Sequence, residues 1–490
     1  VDGGEHLLPK LEVEEAVYPF LGPYRTVEDV ESARAALENA YRAKGFQTVE
    51  VEIPSQSAQQ VRSGVILLQV IPNPIGRLRV VGSRYHSISE IENQAPSLQE
   101  GKVVNFNDVT HDLVNLNQLG DCQVTPAVLP GRVPGTVDVD LNVKDSNPLH
   151  GSFEVNNRYS ADTSPLRLNA SMSYDNLWQM GHTISGSFQV SPQDPSQVKV
   201  FSGYYLAPIP EVSGLSLMLT GTDQNSNVST LSGIGVAGIG QTIGLNAILA
   251  LPSRKDFYHS VTLGFAYKHY LQDVDIAGTT TPTPITYYPL SAAYSATWVG
   301  KSYETDLNGA VNLHLRGFGS NETQFDNDRY GADGSYIYFR GDVSQKVNLP
   351  DDVQVFAKAQ GQAADQPLIN NEQFSGGGLD TVRGYLESEV LGDNALLGST
   401  ELRSPSLGAW IGNPVDDWRF YIFGEGGLLA INEPLPDQQA KYTIASVGAG
   451  TRIKMQKHFN GSLDMGVPLL KGIQTDPYNI LLTFRVWAEF

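Results

Sequence analysis

Cysteine is nearly absent. Cys122 is the single one in 490 residues, so no intrachain disulfide can form. A near-absence of cysteine suits an exported bacterial protein and is common in cytosolic ones too. Long apolar runs are also missing. No stretch of about 18 apolar residues occurs, which excludes an ordinary transmembrane helix, and the mean hydropathy is −0.21. Cations are in deficit, with 33 Lys and Arg against 53 Asp and Glu, a net charge of −20. That balance argues against a general nucleic-acid binder, which would carry a basic patch. The nine His show no metal-ligand spacing. No G-x-x-x-x-G-K-[ST] phosphate loop is present, and no nucleophile–base pattern stands out. The chain opens on Val1 with no signal peptide before it, as expected of a mature or trimmed chain.

What is abundant is Gly (48) and Tyr (22), which suits strands with aromatic girdles. The last segment, NILLTFRVWAEF, alternates. Leu482, Phe484, Val486, Ala488 and Phe490 share one face; Thr483, Arg485 and Glu489 share the other, with Trp487 among them. Such strands average to neutral hydropathy and still cross a bilayer when the apolar face points outward and the barrel closes. From Leu149 onward, helical patterns vanish and alternating segments of about ten residues recur. They fall near 150–159, 165–175, 182–191, 197–207, 214–224, 240–251, 259–270, 284–297, 302–315, 335–348, 352–362, 395–404, 418–429, 442–455, 458–467 and 479–490. The expected fold is a membrane β-barrel of about sixteen antiparallel strands.

Residues 1–146 read differently. Pro9 precedes a short amphipathic stretch, Leu11 to Tyr18. Thr26 can cap a helix with Glu28 and Asp29 in its first turn. Val30, Ala33, Leu37, Ala40 and Tyr41 share one face of that helix, and Gly45 ends it. Strands are expected at Thr48 to Ile53 and Val65 to Ile71. The order then repeats: strand Ile75 to Val81, a short helix from Ser87, and a helix capped by Asn105 or Asn107 with Val109, Leu113 and Leu116 on one face. Strands Val124 to Leu129 and Val137 to Val143 follow. Two units of order β-α-α-β-β, at 1–73 and 74–146, form an internal repeat. Only His6 to Leu8 remains of the first unit's opening strand.

One connection is long. Between the strands near 362 and 395, the segment 363–394 contains QFSGGGLDTVRGYLESEVLGDN; loops of that length usually serve function. Within it lies Val382-Arg383-Gly384-Tyr385. Here the chain resembles the outer-membrane polypeptide-transport barrels, in which periplasmic POTRA domains of the β-α-α-β-β type precede a sixteen-stranded barrel. In that family VRGY marks the tip of a loop folded into the lumen, its arginine paired with the acid of an F-x-D-x-G strand motif. Phe423-Gly424-Glu425-Gly426-Gly427 matches, with Glu425 where the family has Asp. A guanidinium in a lumen needs such a carboxylate. Phe484, Trp487 and Phe490 supply the C-terminal strand signature.

Two POTRA-like units make the chain similar to the two-partner secretion transporters (TpsB, ShlB/FhaC/HecB type). Asn156-Asn157-Arg158-Tyr159, Asn176-Leu177 with Gly181-His182, and Tyr205-Leu206-Ala207-Pro208 add to this, His182 standing where the family has Asp. The resemblance implies a non-enzymatic transporter without cofactor or metal. Its implied partners are a large, β-helical secreted polypeptide, outer-membrane lipid, and the barrel-assembly machinery during biogenesis, with no nucleic acid. A barrel-assembly insertase shares POTRA domains and the loop, and stays open as an alternative; a passive porin and a soluble β-rich binding protein are remoter ones.

Two further patterns carry less. Gly233 to Gly238 spells G-x-G-x-x-G, but no helix pattern follows, as a dinucleotide site requires. Asp326, Asp328 and Asp333 lack EF-hand spacing and read as a solvated loop.

Overall fold

The computed structural model describes residues 1–4, 6–117, 120–231, 234–276, 279–436 and 438–490. It divides into two compact units: residues 1–148 with 175–181, and residues 149–174 with 182–490.

In the first unit, helix Val27–Ala43 begins at a capping box: Thr26 accepts from the Asp29 N–H, and the Asp29 carboxylate takes the Thr26 N–H, satisfying two otherwise orphaned donors. Ala33, Leu37 and Tyr41 are its buried face. Gly45 turns the chain at φ +100°, a left-handed conformation glycine adopts without a Cβ penalty. Strands Glu50–Glu52 and Gln69–Ile71 pair antiparallel, shorter than their sequence patterns. Between them lies helix Ala58–Arg62, opened by a Ser57/Gln60 capping box, which hydrophobic periodicity does not reveal. The expected strand remnant at His6 to Leu8 is instead a turn. Asp2 makes the parallel bridge to Gln69 in its place.

The second half of this unit has the same wiring in fuller form. Strand Ile75–Val81 lies parallel to Val137–Asp145, which pairs antiparallel with Cys122–Pro130. Helices Ile88–Asn93 and Phe106–Leu116 cover one face, and Asn105 accepts the Asn107 N–H at the start of the second. Ile91, Leu98, Val109, Leu116, Val139 and Leu141 form the core, with Cys122 in it. Burial pushes the Cys122 thiol up to about 11.

The second unit is a closed antiparallel barrel of sixteen passages. Strand Leu481–Glu489 returns to pair with Leu149–Asn156, and the Phe490 and Gly151 main chains exchange both hydrogen bonds. One passage is broken. Thr279–Tyr287 and Leu290–Val299 both pair with Phe257–Ile276, interrupted at Pro289, which has no N–H to give the ladder. All sixteen alternating segments coincide with passages, but Leu215–Leu231, Ile234–Ala250 and Phe257–Ile276 run well beyond their patterns. Ile234–Ala250 is strand throughout, so the G-x-G-x-x-G segment leads into a strand and no helix; its Gly233 lies outside the described residues.

Sidedness follows the alternation. On the last strand Leu482, Val486 and Phe490 are exposed, while Arg485 pairs with Glu154 on the inner side. On strand Val415–Ala430, Phe420, Ile422 and Leu428 are exposed on the outside; Tyr421, Phe423, Glu425 and Leu429 are buried. The inner wall is not uniformly polar, however. Phe374, Val382, Tyr385, Val390, Leu397, Leu429 and Ile444 form an apolar cluster inside the barrel, because a loop packs there. The Asp326 region also differs from a solvated loop. Helix Glu322–Asp328 buries Phe325 and Asp328, Asp326 accepts the Gly331 N–H, and Asp333 accepts the Ser335 N–H.

Two outcomes test this arrangement. Cys122 should resist a maleimide at pH 7.5 in the native protein, as a neutral buried thiol does, and react fully once unfolded; equal labelling in both states would contradict its burial. Ile422→Arg on the outer face should cost ~2–4 kcal/mol if it sits at mid-bilayer depth. The measurement is the heat-modifiable, folded fraction recovered in membranes.

Candidate functional site

Strands Gln354–Ala364 and Asn394–Arg403 are neighbours in the wall. The chain between them, 365–393, folds back against inward-facing side chains. It contains a small hairpin, Phe374–Gly376 paired with Val390–Gly392. The tip between these strands carries Val382 to Tyr385, all buried.

Arg383 is 4% exposed and meets three carboxylates from three strands. Its Nε and Nη2 donate to Glu425 Oε1 at 2.9 and 2.5 Å, and its backbone N–H donates to Glu425 Oε2 at 2.6 Å. Nη1 donates to Asp464 Oδ1 at 2.8 Å, and Nη2 lies 2.8 Å from Glu401 Oε1. Glutamate's extra methylene thus has a use: one oxygen reaches the guanidinium and the other reaches the main chain of the tip. Arg403 and Arg452 also contact Glu401, so three cations face three anions. The Phe423 ring lies under the Arg383 guanidinium, 3.6 Å from ring centre to Cζ, a desolvated cation–π contact of ~2 kcal/mol. Breaking a buried pair typically costs ~3–5 kcal/mol; with Glu425 removed, the remaining carboxylates of Glu401 and Asp464 lower that figure here.

The neighbouring motif residues shape the seat. Gly384 has φ +89°, and a Cβ there would stand 3.0 Å from the Gly466 carbonyl carbon. A Cβ at Gly427 would stand closer still to main chain, 2.3 Å from the Leu396 carbonyl oxygen. The Tyr385 hydroxyl donates to the Leu470 and Ala445 carbonyls at 2.7 and 3.1 Å. Val382 is fully buried in the inner apolar cluster.

Sequence reasoning names Arg383 and Glu425, which the structure brings together. It misses Asp464 and Glu401. Their signal is a carboxylate on a lumen-facing parity, which only a known register would align with the tip. It also leaves the Asn156-Asn157-Arg158-Tyr159 run without a task. Arg158 Nε donates to Glu387 at 2.8 Å and Nη2 to Asp380 at 2.5 Å, both acids on the loop. Asn157 stitches the closing seam, accepting from the Phe484 N–H and donating to the Leu482 carbonyl. Phe484, Trp487 and Phe490 stay with that seam, away from Arg383: Trp487 stacks with Arg485, and Phe490 bonds Gly151.

Residues 135–453, more than half of the chain, match the family described as haemolysin secretion/activation protein ShlB/FhaC/HecB. The chain belongs to that family. Residues 1–73 match the ShlB-type POTRA domain. The outer membrane transporter CdiB of Dickeya dadantii is 21% identical over 501 residues, covering 96% of this chain and 82% of the relative. Among solved structures, CdiB from Escherichia coli aligns over 100% of this chain and 89% of its own, with TM-score 0.69 and 21% identity. BamA from Haemophilus ducreyi lacking POTRA domains 1–3 aligns over 100% and 98%, with TM-score 0.57 and 15% identity. The protein is therefore an outer-membrane transporter of the two-partner secretion family, with its N-terminal POTRA part in the periplasm.

Gly384→Ala should unseat the tip without touching any charge, since strain and the Gly466 contact oppose a methyl group. Trypsin cleavage after Arg383 in the detergent-solubilised barrel is the readout: the parent should resist, and the variant should be cut at least several-fold faster.

Proposed function

We propose that the POTRA units, 1–73 and 74–146, capture an incompletely folded partner polypeptide in the periplasm, and that the barrel passes it to the cell surface when the VRGY loop moves aside. Strand addition suits the first step. Strands Ile75–Val81 and Cys122–Pro130 are the outer strands of their sheet; an outer strand offers main-chain groups that pair with an extended chain of almost any sequence. The Arg383 seat supports the second step and carries the reading. Five polar contacts and a ring hold the tip in the lumen, so the path narrows while they persist. No nucleotide-binding loop is present, and folding of the cargo outside supplies the direction. A large β-helical cargo, whose coils fold one on another as they emerge, fits this; the barrel itself needs the assembly machinery for insertion.

A barrel-assembly role has one observation in its favour. The closing seam pairs over Gly151 to Asn157, whereas strands Val415–Ala430 and Lys441–Met455 pair over about twice that length. A short seam is the easiest place for a client strand to enter. A neighbouring gene for a large secreted β-helical protein would favour secretion.

Arg383→Ala should leave the barrel inserted at parental abundance and reduce secretion of the partner strongly, about tenfold or more, because a loop that opens but no longer reseats cannot complete a transport cycle. Glu425→Gln should act in the same direction, and the double variant should be no worse than the stronger single one, as direct coupling requires. Undiminished secretion by Arg383→Ala at equal surface abundance would sink the gating role.

A further inference from the structure

The loop is held at a second place that the VRGY motif does not include. Glu372, eight residues before Asp380, is 2% exposed. Its Oε1 accepts from Lys268 Nζ and from the Tyr287 hydroxyl, both at 2.5 Å, and its Oε2 accepts from the Tyr338 hydroxyl at 2.6 Å. Its carbonyl oxygen accepts from Arg340 Nη2 at 3.0 Å and from Gln362 Nε2 at 3.2 Å. The side-chain partners come from strands Phe257–Ile276, Thr279–Tyr287 and Tyr336–Asn348. None of these strands supplies a carboxylate to Arg383, whose partners lie on Asn394–Arg403, Val415–Ala430 and Phe459–Pro468.

The limb around Glu372 is also tied at its base. Asp393, wholly buried, accepts from the Leu368 N–H, Gln373 Nε2 and the Asn432 N–H. Leu368 and Ile369 pack with Phe325, Tyr287 and Tyr338 in an apolar cluster. Between this limb and the tip comes Gly376-Gly377-Gly378, with φ +104° and +94° at the last two, the part of the loop with least side-chain hold.

We propose that Glu372 is a second latch on the lumen loop, a positioning residue that keeps the limb against its own wall whether or not Arg383 is seated. The inference rests on the reading of this loop as the gate. A buried carboxylate with three donors cannot leave its cage without stranding the Lys268 ammonium. With Arg383 freed, the tip beyond Gly377 and Gly378 keeps its Arg158 and Glu389 contacts, while the limb stays; full clearance of the lumen needs the Glu372 site to open as well.

The test is bilayer conductance of the purified full chain, for Glu372→Gln, Arg383→Ala and the pair together, each first shown to keep parental heat-modifiable mobility. Each single variant should raise the ratio of open to closed time about tenfold, in line with loss of hydrogen bonds to a charged group. The double variant should approach the product, about a hundredfold, as independent sites do. If Arg383→Ala opens the channel while Glu372→Gln matches the parent, or if the double variant equals Arg383→Ala, the second latch is wrong. If Glu372→Gln opens it and Arg383→Ala does not, Glu372 stands and the role assigned to Arg383 falls. If neither opens it, both fall. Should Glu372→Gln not insert, Tyr287→Phe with Tyr338→Phe removes two donors and keeps the charge pair, and the same outcomes apply to it.

Discussion

A peptide group in hydrocarbon has no water to bond, so every N–H and C=O in the membrane must find a partner in the chain. A sheet meets that demand only by closing. Here closure depends on a short contact: Leu481–Glu489 returns to Leu149–Asn156 over few residues. Asn157 extends the contact by bonding Leu482 and Phe484 through its side chain, and Glu154 with Arg485 fastens it on the inner side. With the ring closed, its enclosed wall becomes a place where a loop can fold against side chains from many strands.

That enclosure changes what charge can do. In water an arginine beside a glutamate is worth little. Inside the barrel, Arg383 is stripped of solvent and presented with Glu425, Asp464 and Glu401, so its position is strongly determined. Phe423 and Tyr421, on the inner parity of the same strand as Glu425, flank it with rings. The aromatic residues on this strand therefore belong to the lumen, whereas Phe420 and Ile422 belong to the outer surface. The same alternation serves both surfaces.

Much of the fold is legible in the sequence because a period of two survives averaging: each passage announces itself between polar breaks. What fails is local. Helix Ala58–Arg62 carries no apolar face of its own and is betrayed only by Ser57 and Gln60. Helix Glu322–Asp328 hides in a polar run because its two buried residues, Phe325 and Asp328, are too few to set a period. At the site, Arg383 and Glu425 can be named from short motifs. Asp464 and Glu401 cannot, since their approach depends on how far each strand is offset from the next, and a sequence does not print offsets. Glu372 is hidden for the same reason: its three donors are scattered over seventy positions of chain.

The loop is itself a polypeptide lying in this channel, and its makeup describes the surroundings. Residues 365–393 contain six acidic side chains and one arginine. Several of those acids rest on Lys268, Arg158 or backbone amides of the sleeve. Departure of the stopper, were it to occur, would leave those cations and amides of the sleeve without the acids they now meet. A traveller rich in carboxylates and side-chain amides would find ready replacements there for what the stopper took away, while a strongly basic one would meet like charge at Lys268 and Arg158.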